Sequence, residues 1–376
     1  MSKNHHRGGL PWLFNPFEIK FSAYSGSGKT TLICRLINEM HQDYDIAYAK
    51  SDAHRFEMDK PRKDTHQAQM AGAQAVVINN PEARAKLEKR PANEIWRSLN
   101  LLEYDIVFVE GYKNHTQSPR ILLVNDKMLE EIADKDLENV IAFTGPASER
   151  PSGLPTEIPY FHRDNIAAIK ELILKTFASR VPKTKGLVLI GGQSRRMGKD
   201  KANMKFTEKS MARQAYDLLK EKCDEVYLSV RDEQQSLPED CQGLPIITDQ
   251  LRDMGPTGGI LSAFKQDSSS AWTVMGCDLP LVTSETLEKL YEGRNSQRYA
   301  TCFKSKSDSM PEPLLAIYEP KAQNRFYQFL ATNRLCPRKV LLNSSIELLE
   351  QGEYNYLDNA NTPEDVERIQ EQLLRD

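Results

Sequence analysis

Two stretches of this chain hold the residue types that phosphate chemistry demands, at spacings that let them act together. The first is AYSGSGKT at 23–30, set between the apolar run FEIKFS (17–22) and a segment with Ile33, Leu36, Ile37 and Met40 at helical spacing. Strand, glycine-rich turn and helix start, in that order, build an anion cradle, because N–H groups at a helix N-terminus carry partial positive charge. Ser25, Gly26, Ser27 and Gly28 form the turn, and the two glycines let its backbone wrap closely. Lys29 can reach β and γ oxygens, and Thr30, followed by Thr31, offers a hydroxyl to Mg2+. Ala23 stands where the strict pattern has its first glycine. A Ser/Gly turn that only caps a helix is the plainer reading; the flanking strand and helix favour nucleotide binding over it. The run DIVFVE (105–110) ends in Glu110, where a P-loop protein sets its metal-facing acid, while Asp105 reads as a structural or capping group.

The second stretch, GLVLIGGQSRRMGKDK (186–201), follows a strand with three glycines, two arginines and two lysines, all within sixteen residues. It is not a Walker loop. Gly191, Gly192 and Gly198 let main-chain amides approach a triphosphate, and Arg196 and Lys201 can neutralise charge building on a leaving pyrophosphate. Its plainer reading is a basic strand-to-helix connection. Further on, VMGCDLP (274–280) ends an apolar strand in Asp278. A carboxylate at the C-terminal end of a strand in an open α/β sheet faces the ligand crevice, and Mg2+ needs only one or two such acids beside phosphates and water. A turn-capping Asp before Leu279-Pro280 is the alternative.

The elements that must position these residues alternate: short β-branched or aromatic runs with helix-period stretches, twice over, the pattern of α/β domains with mostly parallel sheets. In the first half the expected strands are 17–22, 45–50, 75–78, 105–110, 120–124 and 140–145, closed by an amphipathic helix over 164–177. In the second they are GLVLI (186–190), EVYLSV, LPIITD, WTVMGCD, YATCF and PLLAIY, with a last helix after 361–364. These predict a tail at 1–16, a P-loop NTPase-like domain at 17–178, a linker at 179–185 and a second, Rossmann-like α/β domain at 186–376, which the resemblance below implies is a nucleotidyltransferase.

The P-loop, the charged loop KSDAHRFEMDKPRKDT (50–65) and Glu110-Gly111-Tyr112-Lys113 together resemble the MobB family of GTP-binding proteins of molybdopterin guanine dinucleotide synthesis. The resemblance implies GTP on Ser25 to Thr31 and Glu110, a metal at Thr30, and a switch or partner segment near His54. His54 is equally readable as a surface histidine. The string L-x-G-G-x-S-x-R-M-G-x-D-K resembles the molybdenum cofactor guanylyltransferases of the MobA family, a nucleotide-diphospho-sugar transferase type of fold. It implies GTP contacts at Leu189, Ile190, Gly191, Gly192, Gly198 and Lys201, catalytic roles for Lys201, Asp278 and Arg196, and Mg2+ on Asp278. Asp200, where cytidylyl relatives carry Asn, points to GTP. IITDQLRDMGPTGGI (246–260) matches the family's acid and Gly-Pro-x-x-Gly, making Asp249 a nucleotide contact; Ser229 takes the place of a nucleotide-touching asparagine, and Asn361 in NANTPED that of a pterin contact. EPLLAIY (312–318) matches its substrate-side strand.

The implied reaction joins GMP from GTP to molybdopterin, with or without molybdenum, and releases pyrophosphate. A molybdenum-insertion protein, acceptor molybdoenzymes and a homodimer through the N-terminal domain are the partners the resemblance suggests. Two rival functions are a cytidylyl- or sugar-phosphate nucleotidyltransferase and a GTP-controlled cofactor carrier without transferase activity. A formal net charge of −3 over 376 residues gives no positive field for nucleic acid, and no apolar run approaches a membrane span. The basic N-terminus does not read as a secretory signal, and six scattered cysteines without a Cys-x-x-Cys pair fit free thiols in the cytoplasm.

Overall fold

The computed structural model describes residues 17–24, 26–51, 59–89, 99–111, 118–190, 201–205, 208–232, 235–251, 253–352, 356–358, 365 and 367–369. They form two compact units: one holds Glu18–Leu102 and Val107–Ile169, and the other holds Phe17, Glu103–Ile106 and the described residues from Lys170 onward. Among the described residues no helix is long and apolar enough to cross a membrane.

The first unit is built from β1 (Glu18–Ser22), α1 (Lys29–Met40), β2 (Ile46–Lys50), α2 (Asp64–Met70), β3 (Ala75–Asn79), β4 (Arg84–Glu88), β5 (Ile106–Glu110), β6 (Arg120–Leu123), α3 (Asp126–Glu130), β7 (Val140–Gly145) and β8 (Tyr160–His162), with α4 (Ile166–Ala178) following. Its sheet runs β2-β5-β1-β6-β7-β8, and β1 lies parallel to both β5 and β6. Strands buried on both faces need not alternate apolar and polar residues: all of β5 is buried, and Phe21 packs edge-on against Phe108 at 5.5 Å. Helix α1 buries Ile33, Leu36 and Met40 of the stripe its periodicity announces, and adds Leu32, while Ile37 is only partly buried. The run at 75–78 differs from expectation. It pairs antiparallel with β4 in a separate two-stranded sheet, leaving Val77 and Ile78 more than half exposed. Asn80, accepting from the amides of Glu82 and Ala83, closes that hairpin after only four residues, so the strand turns back on itself before it can cross to the main sheet.

The second unit comprises β9 (Thr184–Leu189), α5 (Met211–Lys220), β10 (Val226–Val230), β11 (Ile246–Thr248), α6 (Pro256–Gln266), β12 (Ala271–Gly276), α7 (Ser284–Glu292), β13 (Ala300–Lys304), β14 (Pro311–Tyr318), α8 (Ala322–Ala331), α9 (Pro337–Leu342) and β15 (Ile346–Leu349). The order is β11-β10-β9-β12-β14-β13-β15. This sheet is mixed: β14 runs antiparallel to both β12 and β13, and the other pairings are parallel. Only residues 305–310 join β13 to β14, far fewer than a parallel crossover needs, so β14 must return alongside its predecessor. The parallel core β11-β10-β9-β12 brings Leu189, Ser229 and Gly276 level with one another at one end of the sheet.

Candidate functional site

In the second unit, Leu189 ends β9 and Ile190 follows it, both buried, and the next described residue is Lys201 at the start of a short 3-10 turn. Gly191, Gly192, Arg196, Gly198 and Asp200 lie outside the described residues, as does Asn361. One register step across, Ser229 on β10 is buried and its hydroxyl donates to Asp249 Oδ1 at 2.8 Å, just past β11. Burial pushes the Asp249 carboxyl above its ordinary range, and the Ser229 hydroxyl pulls it partly back. The N-terminal turn of α6 closes over this pair. A Cβ on Gly259 would stand 2.4 Å from Ser229 Oγ and 2.7 Å from Leu189 Cδ2, and one on Gly258 would stand 2.7 Å from the Leu251 carbonyl. The two glycines of the Gly-Pro-x-x-Gly segment are therefore set by packing: only hydrogen fits where the helix meets the strand ends.

Asp278 follows β12 at the same end of the sheet. Extending the β12–β14 register from Met275↔Leu315 sets it opposite Glu312, an acid that the reading of the sequence left without a role. Glu312 is 5% exposed; burial raises its carboxyl, its own Leu314 N–H (2.9 Å) and the nearby Arg338 guanidinium (3.3 Å) hold it down, and the Asp278 charge raises it further. The signal that could have found it is an acid inside the otherwise apolar run PEPLLAIY. Asp278 and Glu312 offer hard oxygen donors side by side, the donor chemistry that suits Mg2+. Among the described residues no cluster of three or more His, Cys, Asp or Glu could hold a metal without phosphate oxygens.

In the first unit the turn after β1 leads into α1 through Gly26 and Gly28, both left-handed at φ 77° and 87°, and Gly28 is the N-cap without a side-chain hydrogen bond. Ser27 Oγ donates to the Tyr24 carbonyl at 2.8 Å, and Lys29 Nζ donates to the carbonyls of Tyr24 (2.9 Å) and Ala23 (3.2 Å). Glu110 ends β5 beside Phe21 and is buried. Its Oε2 accepts from Thr30 Oγ1 at 2.9 Å and Tyr48 OH at 2.6 Å, and Lys50 Nζ stands 3.7 Å from Oε1. Burial, then Glu110 itself, pushes the Tyr48 phenol well above its ordinary range, so it acts as a fixed donor. Thr30 and Glu110 thus present a hydroxyl and a carboxylate side by side, an oxygen pair suited to Mg2+. Gly111, at φ 91°, lies so close that a Cβ would meet the Ser51 carbonyl at 2.5 Å. Thr31 sits behind Thr30 on α1; Ser25, His54, Tyr112 and Lys113 lie outside the described residues.

Comparison with known proteins follows the same division. Residues 186–347 match the family described as MobA-like NTP transferase domain, and 19–145 match molybdopterin guanine dinucleotide synthesis protein B. A probable molybdenum cofactor guanylyltransferase of Methanosarcina acetivorans is 30% identical over 212 residues, covering 50% of this chain and 91% of the relative. The chain belongs to the MobA-like NTP transferase family. A region matching the MobB family model precedes the MobA-like one in the same chain. A molybdenum cofactor biosynthesis bifunctional protein of Synechocystis is 35% identical over 185 residues, which is 49% of this chain and 53% of that protein, so the match spans about half the relative's length. The solved structure of molybdopterin-guanine dinucleotide biosynthesis protein A from Archaeoglobus fulgidus is 25% identical, covers 51% of this chain and 100% of its own, and has a TM-score of 0.43. Within the MobA-like domain, Leu189, Ser229, Asp249 and Asp278 gather at the C-terminal ends of the parallel strands, where open α/β sheets take ligands.

Proposed function

We propose that the MobA-like domain transfers GMP from GTP to molybdopterin, forming the guanine dinucleotide and releasing pyrophosphate, and that the MobB domain is a GTP-binding accessory. The observation that carries this reading is the Ser229–Asp249 pair, roofed by Gly258 and Gly259 of α6, on the same sheet end as Asp278. The terminal phosphate of molybdopterin attacks the α-phosphorus of GTP; a new P–O bond forms and the bond to the β-phosphate oxygen breaks, so pyrophosphate leaves. A phosphate nucleophile is already anionic, so the protein's task is alignment and charge neutralisation rather than proton removal. Asp278, with Glu312 beside it, would hold Mg2+, which when bound supplies positive charge to the phosphates. Lys201 and Arg196 are assigned to the departing pyrophosphate, and Asn361 to the pterin. Incubating the full chain with Mg2+, molybdopterin and GTP labelled at the α-phosphate tests the reaction: label should move into a pterin product, and label found only in GTP or free GMP would refute it.

Asp249 is assigned to the guanine base. An ionised carboxylate only accepts hydrogen bonds, and guanine presents N1–H and N2–H2 on one edge. The raised folded-state value has a definite sign: Asp249 contributes stability that is full below its ordinary carboxylate value and is lost as pH climbs from there through the raised value. Asp249→Asn should therefore leave the melting temperature of the ligand-free protein at pH 7 equal or higher. The same change should weaken GTP at this site at least about tenfold, as a polar pocket with one wrong partner does. In a Lys29→Ala background, where the MobB-domain site is silenced, wild-type GTP affinity of the Asp249→Asn chain would remove this assignment. Asp200 in the glycine loop favours GTP over CTP. We assign the protein to a reducing cytoplasm, consistent with six cysteines outside any disulfide. A molybdenum-insertion protein and acceptor molybdoenzymes are the partners this reaction calls for, and self-association of the MobB domain is assigned on the resemblance alone.

A further inference from the structure

A cleft of about 780 Å3 opens in the first unit between α1 and the start of α4, within the size range of small-molecule sites. One wall begins at Thr30 and Thr31, directly behind the phosphate cradle, and continues along α1 through Arg35 and Asn38; the other is the segment after β8, with Asp164 and Asn165. That segment also sends Arg163 toward the cradle: its Nη1 lies 4.0 Å from where a Cβ on Gly28 would stand. A nucleotide whose phosphates occupy the P-loop leaves along this cleft, because its Thr30–Thr31 end is continuous with the loop.

We infer that the cleft receives the nucleoside of the nucleotide held by the P-loop, and that Asp164 selects guanine there. The inference rests on the P-loop reading given above. Asp164 is bonded to the Arg35 guanidinium across the cleft. A guanidinium and the N1–H/N2–H2 edge of guanine present the same feature to a carboxylate, adjacent N–H donors in one plane. Arg35 therefore occupies the position that guanine would take. Both partners are about half exposed, and so exposed an ion pair is readily exchanged for another donor. Arg35 holds the Asp164 carboxyl below its ordinary range, so it stays an acceptor at neutral pH, and His162 and Arg163, which also face it, act in the same direction. Adenine presents an acceptor at N1 and no donor at C2, so it would set a lone pair against this carboxylate.

The test is calorimetric titration of the full chain with GTP and with xanthosine triphosphate, whose base has a carbonyl where guanine has its amino group. Wild type should bind GTP at two sites. Asp164→Asn should weaken GTP at one of them at least about tenfold and strengthen xanthosine triphosphate there to a similar degree, because the carboxamide now donates to the new carbonyl. The other site should keep its wild-type GTP affinity. Two unaltered GTP sites in Asp164→Asn, or a site that loses both nucleotides alike, would overturn the assignment. Arg35→Ala breaks the same ion pair from the other side and should bind GTP at least as tightly as wild type; a loss matching that of Asp164→Asn would show the pair to be structural and overturn the inference. Lys29→Ala should abolish this site for both nucleotides. If it leaves two GTP sites, the P-loop reading fails, an outcome distinct from the failure of Asp164.

Discussion

Asp278→Ala is expected to cut guanylyl transfer by about a hundredfold or more at saturating GTP, molybdopterin and Mg2+, a loss of roughly 2.7 kcal/mol of transition-state stabilisation. Asp278 is the acid that stands two residues past the end of β12, whose last residue Gly276 is level with Leu189, and it lies opposite Glu312. Its charge adds to the burial that already raises the Glu312 carboxyl, and removing it relieves that repulsion. The melting temperature of Asp278→Ala should accordingly equal or slightly exceed that of wild type. Loss of turnover with stability retained marks a residue kept for function at a cost in stability. Lys201→Ala should show a similar loss of turnover. Near-normal rates in Asp278→Ala, measured as pyrophosphate release, would sink its role as the metal acid.

The second large effect is steric. Gly259→Ala sets a methyl group 2.4 Å from Ser229 Oγ and 2.7 Å from Leu189 Cδ2, distances at which something must move. Leu189 is anchored on an interior strand, paired on both sides, so Ser229 or the helix start must give. Either movement breaks the 2.8 Å bond that Asp249 accepts. Overpacking of this kind costs about 1–3 kcal/mol, which for a domain of this size lowers the melting temperature by roughly 2–12 °C. GTP affinity at the MobA-like site should fall at least about tenfold, because the acceptor is displaced with the hydroxyl. Combining it with Ser229→Ala removes the clashing oxygen and should restore part of the stability, a non-additivity that a double-mutant cycle reads directly. Strict additivity of the two changes would mean that Gly259 is not held by this contact.

Much of this site is readable in the sequence because its chemistry is local. A P-loop is eight consecutive residues, and its glycines, lysine and threonine announce themselves beside an apolar strand; Asp278 ends an apolar run for the same reason. What could not be read depends on contacts distant along the chain. Ser229 and Asp249 are twenty residues apart, and nothing in YLSVR says that its serine hydroxyl turns toward an acid at the end of the next strand. Glu312 meets Asp278 only because β14 returns antiparallel, and strand direction leaves no mark in composition. The hairpin at 75–88 misleads in the opposite way: AVVI has the composition of a buried strand, yet Val77 and Ile78 are exposed. YFH at 160–162, only three residues long, and the charged RAKLE at 84–88 fall below what alternation can detect. Asp164 looks like a residue at a helix start until the cleft along α1 is seen beside it.

The central claim, that this chain is a guanylyltransferase, meets its most direct test in pyrophosphate release by the full-length protein with molybdopterin and Mg2+, comparing GTP with CTP. Stoichiometric pyrophosphate is expected with GTP, none without molybdopterin and little with CTP. Release with CTP in preference to GTP would move the protein to cytidylyl transfer, and GTP binding without any pyrophosphate would contradict transferase activity altogether.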